Sequence, residues 1–274
     1  MTAPNEWTGP VGDVWAAEWR RTDRSFAGLS PHLESAILRA MPETGTLVDI
    51  GCGAGGTSLA VAAARPSARI VGLDISAALV AVARERAADL PNARFDAGDA
   101  PALVRDHAPV AGYYSRHGVM FFPDPIGAFA ALRAAATPGA PLEFSCFRKA
   151  ADNVWAQETI AAVGGGAPPT DPHAPGPFAF ADPDHVRVIL AAAGWSSVEA
   201  QPVDFAYRAG EGDDPVTDAV SYFRRIGPPA RALRDRPEAD RPAMIAALTE
   251  LCERYRTGDA VDFPAAAWIW SARA

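Results

Sequence analysis

The stretch VDIGCGAGG sets an acid, Asp49, two residues ahead of a glycine run formed by Gly51, Gly53, Gly55 and Gly56. Glycines at such a place let backbone approach a ligand that a side chain would keep away. Their spacing satisfies GxGxG through Gly51, Gly53 and Gly55, and also the dinucleotide pattern GxGxxG through Gly51, Gly53 and Gly56, so the glycines do not separate the cofactors. Asp49 does. A dinucleotide site normally carries an apolar residue there, whereas a carboxylate suits a cationic ligand and repels a pyrophosphate. Further on, Asp74 ends a second apolar run, where a carboxylate can accept hydrogen bonds from two neighbouring ribose hydroxyls. Ser76 is the better helix cap, which leaves Asp74 for a ligand. In FDAGDAP, Asp99 is placed to accept from an adenine amine, and the Ala100 N–H to reach the ring.

These acids act together only if three strands end side by side. From Gly45 onward, short apolar runs alternate with stretches of helical period, the signal of successive βα units. TLVDI (46–50), RIVGLD (69–74), 93–96, 112–115 and PLEFSCF (141–147) read as strands. Helices are expected at 57–64, 77–90 and from Pro125. Five such units imply a parallel sheet, and open α/β sheets bind ligands at the carboxyl ends of their strands. The stretch 148–181 includes GGGAPPTDPHAPGP and is expected to be one long loop. A helix at 182–194, a strand at 197–207, two or three helices over 213–256 separated by GPPA and RPEAD, and a closing strand AAAWIWSAR complete the chain.

With 274 residues, 25 Lys+Arg against 33 Asp+Glu and a net charge of −8, the chain has a globular composition and no basic run. That argues against nucleic acid or anionic lipid as partner and for a small molecule. Cys52, Cys146 and Cys252 form no CxxC and no zinc spacing, so no metal is expected and the thiols are read as reduced. The start MTAPNEWTGP lacks the pattern of an export signal, and no apolar run is long enough to span a membrane, so a cytoplasmic location is expected.

VDIGCGAGG, GLDIS, AGDA and YYSRHGVMFFPDP, in this order and spacing, resemble the class I S-adenosylmethionine-dependent methyltransferases, above all the branch of the ubiquinone and menaquinone C-methyltransferases. The resemblance covers most of the chain, including PGAPLEFSCFR, GPFAFADPDHV and AAWIWSAR. It implies a Rossmann-like, doubly wound α/β sheet of seven strands, mostly parallel with the last antiparallel. It also implies a helical lid segment at 1–44, a methyltransferase domain at 45–274, and a helical insertion at 211–258 between strands six and seven. Asp49, Gly51, Gly53 and Gly55, with Cys52 among them, would surround the methionine part. Asp74, followed by Ile75, would hold the ribose, Asp99 with Ala100 the adenine, and Ser115 would face the methionine end. The region after strand four reads SRHG in place of the Asn/Asp-Pro-Pro-aromatic motif of DNA-amino methylating members, which disfavours base methylation.

Methyl transfer from a sulfonium is an in-line displacement that depends on positioning and on exclusion of water. Where an acceptor must lose a proton, His117 after strand four is the first candidate base, since imidazole titrates near physiological pH. His173 is a second, while His107 and His185 read as surface helix residues. Trp15 and Trp19, four apart, fall on one helical face as lid or as core. Arg116, Met120 and Tyr222 are candidates for the acceptor pocket, with Phe121, Phe122 and Phe223 nearby. The function expected is methyl transfer to a small apolar or aromatic molecule at O, C or N. The rivals are a nicotinamide-dependent oxidoreductase and a methyltransferase fold turned to other chemistry.

Overall fold

The computed structural model describes residues 4–165 and 171–274. Four helices come first, α1 (Pro4–Trp7), α2 (Pro10–Ala17), α3 (Trp19–Ser25) and α4 (Ser30–Ala40). The alternating part runs β1 (Gly45–Ile50), α5 (Gly56–Ala64), β2 (Ala68–Asp74), α6 (Ala77–Arg86), β3 (Ala93–Ala97), α7 (Ala100–Leu103), β4 (Gly112–Arg116), α8 (Pro125–Ala135) and β5 (Pro141–Phe147). Beyond it lie α9 (Val154–Ala162), α10 (Pro183–Ala192), β6 (Ser196–Glu211), α11 (Pro215–Phe223), α12 (Gly227–Arg234), α13 (Arg241–Arg254), β7 (Arg256–Thr257) and β8 (Ala260–Arg273).

The strands form one sheet in the order β3-β2-β1-β4-β5-β8-β6, with the two-residue β7 added to β8. The pairs among β1 to β5 are parallel, whereas β8 runs antiparallel to both β5 and β6. All seven residues of β5 are buried, as are the last four of β1, which is why these segments read as unbroken apolar runs. Neighbouring residues of a strand face opposite sides, and β4 shows both layers: the Tyr113 hydroxyl donates to the Leu132 carbonyl of α8 (2.7 Å), and Tyr114 lies toward Asp49 and Ser58 of α5. The chain thus reverses its winding between β1 and β4, and a crevice opens at their carboxyl ends.

Several sequence expectations shift. The stretch 148–181 is not one loop, because Val154–Ala162 is helical and buries Trp155, Ala156 and Thr159; its residues 166–170 lie outside the described residues. GPPA forms the first turn of α12 rather than a linker, since proline is compatible with the start of a helix. The helix after Ser76 ends at Arg86, short of residue 90. Trp15 and Trp19 do not share a helix, because α2 stops at Ala17 and α3 starts at Trp19, with Glu18 between them. No described helix is long and apolar enough to cross a membrane.

Two glycines let β1 and β4 end in contact. Gly51 has a φ of +64°, and a Cβ on it would meet the Gly118 Cα at 2.8 Å. On Gly118 a Cβ would stand 2.5 Å from the Ile50 carbonyl oxygen and 2.9 Å from the Gly51 Cα. Both obstacles are backbone, so Gly118→Ala is expected to cost about 1–3 kcal/mol in urea unfolding. Gly176→Ala, whose Cβ would meet only the Ala174 carbonyl oxygen at 3.7 Å, serves as the near-neutral control.

Candidate functional site

A cavity of about 700 Å³ lies over the carboxyl ends of the strands. Its floor is the glycine loop (Gly51, Cys52, Gly53 and Ala54) with Asp74, Ile75, Asp99, Ala100, Arg116, His117 and Gly118. Its roof includes Trp7, Trp15, Trp19, Asp23 and Phe26 from the amino-terminal helices, and its far wall Phe147, Trp155, Pro177, Tyr207 and Ile226.

Asp49 is 1% exposed at the base of this cavity. Its Oδ2 accepts from Ser58 Oγ (2.6 Å), but Oδ1 has no partner. Burial raises its pKa from 3.8 to about 7, against the Ser58 hydrogen bond and the Arg116 guanidinium, which lower it, while Asp74 adds to the rise. Asp74 takes one backbone N–H on each oxygen, from Ser76 (2.8 Å) and Gly53 (2.7 Å), and retains lone pairs for further donors. Burial raises its pKa too, and those two bonds oppose the rise. Ser76 Oγ caps α6 by accepting from the Leu79 N–H (3.3 Å), so Asp74 is not the cap.

His117 has a φ of 61°, in the left-handed region. Its N–H donates to the Ser145 carbonyl (3.1 Å), and its Nδ1 lies 2.9 Å from Ser145 Oγ. Nε2 is buried without a partner. The rings of Phe26 and Phe147 pack on the imidazole at 4.8 and 4.2 Å. Burial, with Arg116 beside it, lowers the pKa to about 3. The ordinary imidazole pKa expected from sequence is therefore absent, and the ring is neutral near pH 7 and a weak base. Of the other histidines, His173 stacks on His185 at 3.7 Å, and His107 Nε2 lies 3.6 Å from Asp96; none of the three lines the cavity.

Asp23 ties the roof to the floor. One oxygen takes Arg116 at 2.6 Å and the other takes Arg86 at 2.8 Å, while Arg86 also lies over the Trp19 ring at 3.9 Å. Arg24 and Arg21 of α3 pair with Asp218 of α11 at 2.6 and 2.8 Å.

The cavity brings together Asp49, Gly51, Cys52, Gly53, Asp74, Ile75, Asp99, Ala100, Trp15, Trp19, Arg116, His117 and Met120. Three candidates lie outside its lining. Gly55 caps α5 with a φ of +82°, wedged where a Cβ would meet Ala83 and Phe95. Ser115 donates to the Ile50 carbonyl (2.6 Å) and accepts from the Gly118 N–H (3.2 Å), so it joins the two strand ends from beneath. Tyr222 is buried behind Tyr207, hydroxyl to hydroxyl at 3.2 Å. Sequence reasoning missed Asp23, Phe26, Phe147, Trp155 and Tyr207. Phe147 and Tyr207, each the last residue of an expected strand, carried a positional signal.

The methyltransferase domain family matches residues 47–139, the stretch from β1 to the turn after α8. The trans-aconitate 2-methyltransferase of Variovorax paradoxus is 39% identical over 103 residues, which are 37% of this chain and 38% of that protein. The match therefore spans well under half of the curated relative's length. Among solved structures, the YcgJ protein of Bacillus subtilis superposes with a TM-score of 0.54 at 16% identity, over 88% of this chain and 97% of that one. The [4+2]-cyclase SpnF gives 0.53 at 19% identity over 88% and 80%. Phosphoethanolamine N-methyltransferase 2 of Haemonchus contortus, crystallised with S-adenosyl-L-methionine, gives 0.53 at 15% over 96% and 57%. The sheet order and the glycine loop define an α/β protein of the Rossmann-like class. Within that class, residues 47–139 carry the likeness to the methyltransferase domain family.

The carboxylate of Asp49 has a measurable consequence before any ligand binds. The unfolded chain releases this proton near 3.8 and the fold holds it to about 7, so the group's stabilising contribution is complete below pH 4 and is lost as pH rises through 7. Asp49→Asn escapes that loss. Between pH 5 and 7.5 the variant should gain up to about 3 kcal/mol on the parent protein in urea unfolding of the free chain. A difference independent of pH would show that Asp49 is not held protonated.

Proposed function

We propose that the protein transfers a methyl group from S-adenosylmethionine to a small apolar or aromatic acceptor. The observation that carries this reading is the unpartnered, fully buried oxygen of Asp49 at the base of a cavity whose charged lining is Asp23, Asp49, Asp74, Asp99 and Asp124 against the single Arg116. A cation is drawn to such a wall and a pyrophosphate is not, which disfavours a nicotinamide dinucleotide. The residues present fit the cofactor of the family. Asp49 Oδ1 would hold its ammonium, the free lone pairs of Asp74 its ribose hydroxyls, and Asp99 with the Ala100 N–H its adenine. When bound, the cofactor supplies a methyl group on a sulfonium, open to in-line displacement.

What this chain adds is placement and dryness. Residues 1–44 act as a lid whose described helices set Trp7, Trp15 and Trp19 over the cavity, fastened through Asp23 to both halves of the floor. The insertion 211–258 closes the far side through Ile226, Gly227 and Pro228. Met120 and Arg116 border the acceptor, the latter already neutralised by Asp23.

Calorimetric titration with S-adenosylmethionine should show binding, NADH should show none, and Asp49→Asn should weaken the affinity at pH 7.5 by about tenfold or more. Because the cation needs the ionised carboxylate, affinity should rise with pH from 6 to about 7.5, by at most about tenfold per unit, and then level off. In the Asn variant the pH dependence should be gone. Incubation with labelled cofactor and a metabolite extract should release S-adenosylhomocysteine and a labelled small molecule. Binding without turnover would instead favour a methyltransferase fold turned to other chemistry.

A further inference from the structure

We propose that the acceptor end of the cavity takes a neutral planar aromatic ring bearing a hydroxyl group, and that His117 selects the hydroxyl through Nε2. This rests on the methyl-transfer reading, which assigns the other end of the cavity to the cofactor.

Geometry fixes the imidazole before any ligand arrives. The left-handed backbone and the two links to Ser145, at 3.1 and 2.9 Å, leave the ring no role as a loose surface group. Its Nδ1 edge is occupied by Ser145 Oγ, and the opposite edge carries Nε2, buried and unpartnered in a residue that lines the cavity. An orphaned polar atom costs stability, and a ligand that bonds it recovers that cost. A hydroxyl both donates and accepts, so it satisfies Nε2 in either tautomer.

The surroundings set the rest of the ligand's chemistry. Phe26 and Phe147 flank the imidazole, and Trp155 and Tyr207 extend the wall, stacked on each other at 4.6 Å. Their polar ends are already engaged elsewhere, Trp155 Nε1 with Asn153 Oδ1 (3.3 Å) and the Tyr207 hydroxyl with that of Tyr222 (3.2 Å). These side chains therefore offer ring surface alone, which matches an aromatic ligand. Among the described residues of the lining no free cation awaits an anionic acceptor: Arg116 is bound to Asp23, and the imidazole is held neutral by burial and by Arg116.

The test uses the full-length protein, titrated first with S-adenosylhomocysteine and then, at saturation, with 2-naphthol, naphthalene and 2-naphthoate. The parent protein should bind 2-naphthol about tenfold more tightly than naphthalene, and 2-naphthoate most weakly. His117→Asn tolerates the left-handed backbone and can keep the contact to Ser145, but it has no atom at the Nε2 position. With naphthalene on the same variant as the internal reference, it should lose the preference for 2-naphthol. His117→Gln, which reaches farther, should restore part of it. Equal binding of 2-naphthol and naphthalene by the parent, a preference that survives in His117→Asn, or tightest binding of 2-naphthoate would each overturn the proposal. Failure of S-adenosylhomocysteine to bind in the first titration would instead count against the methyl-transfer reading.

Discussion

One carboxylate oxygen, Oδ1 of Asp49, is buried with nothing to bond it, and the rest of the site is arranged around that unpaid electrostatic debt. A buried charge without a partner is among the costlier features a fold can carry, and the free protein relieves it by holding a proton to about pH 7. A ligand cation relieves it better. The surrounding layout keeps the tension in place: Ser58 engages the other oxygen, Asp74 adds negative potential, and Arg116, the cation in the lining, is turned to Asp23. The stability cost of a buried carboxylate and its attraction for a positive charge are thus two sides of one placement.

Asp23 has the complementary part. By joining Arg86, bonded to the glycine loop at the Ala54 carbonyl, to Arg116 at the end of β4, it couples the amino-terminal helices to two parts of the cavity floor. Each pair is partly exposed and would be worth little alone. Held together with the Trp19 ring under Arg86 and the α3 to α11 pairs, they fix which aromatic surfaces cover the site.

The glycine-loop half of the cavity was legible in sequence because each of its features is local. A strand end, a glycine turn and an acid fall within a few residues of one another at Asp49, Asp74 and Asp99, and the parallel sheet then sets them side by side. The aromatic far wall was not, for a physical reason. Phe26, Phe147, Trp155 and Tyr207 come from four separate elements, and nothing in the sequence near any one of them says that they meet. Trp155 was hidden further because VWAQETIAA adjoins a glycine- and proline-rich run, and proximity to that run suggested a loop where apolar packing makes a helix. His117 was found by position, but its chemistry was not, since the pKa of an imidazole depends on burial that only the assembled fold supplies. Ser115 and Gly55, expected at the ligand, lie outside the cavity lining and hold the strand ends and the helix start beneath it.

The last strand has a reach that its pairing makes plain. β8 runs beside β5 only from Ala267 onward, while its first half, from Ala260, continues past the end of β5 paired with β6. That overhanging ribbon carries α11, so the helical insertion is mounted on an outrigger of the sheet rather than on β1 to β4. Changes in residues 213–255 can accumulate there without altering β1 to β4. Such a division would let descendants of one ancestral chain vary the far wall of the cavity while inheriting an unchanged glycine-loop floor.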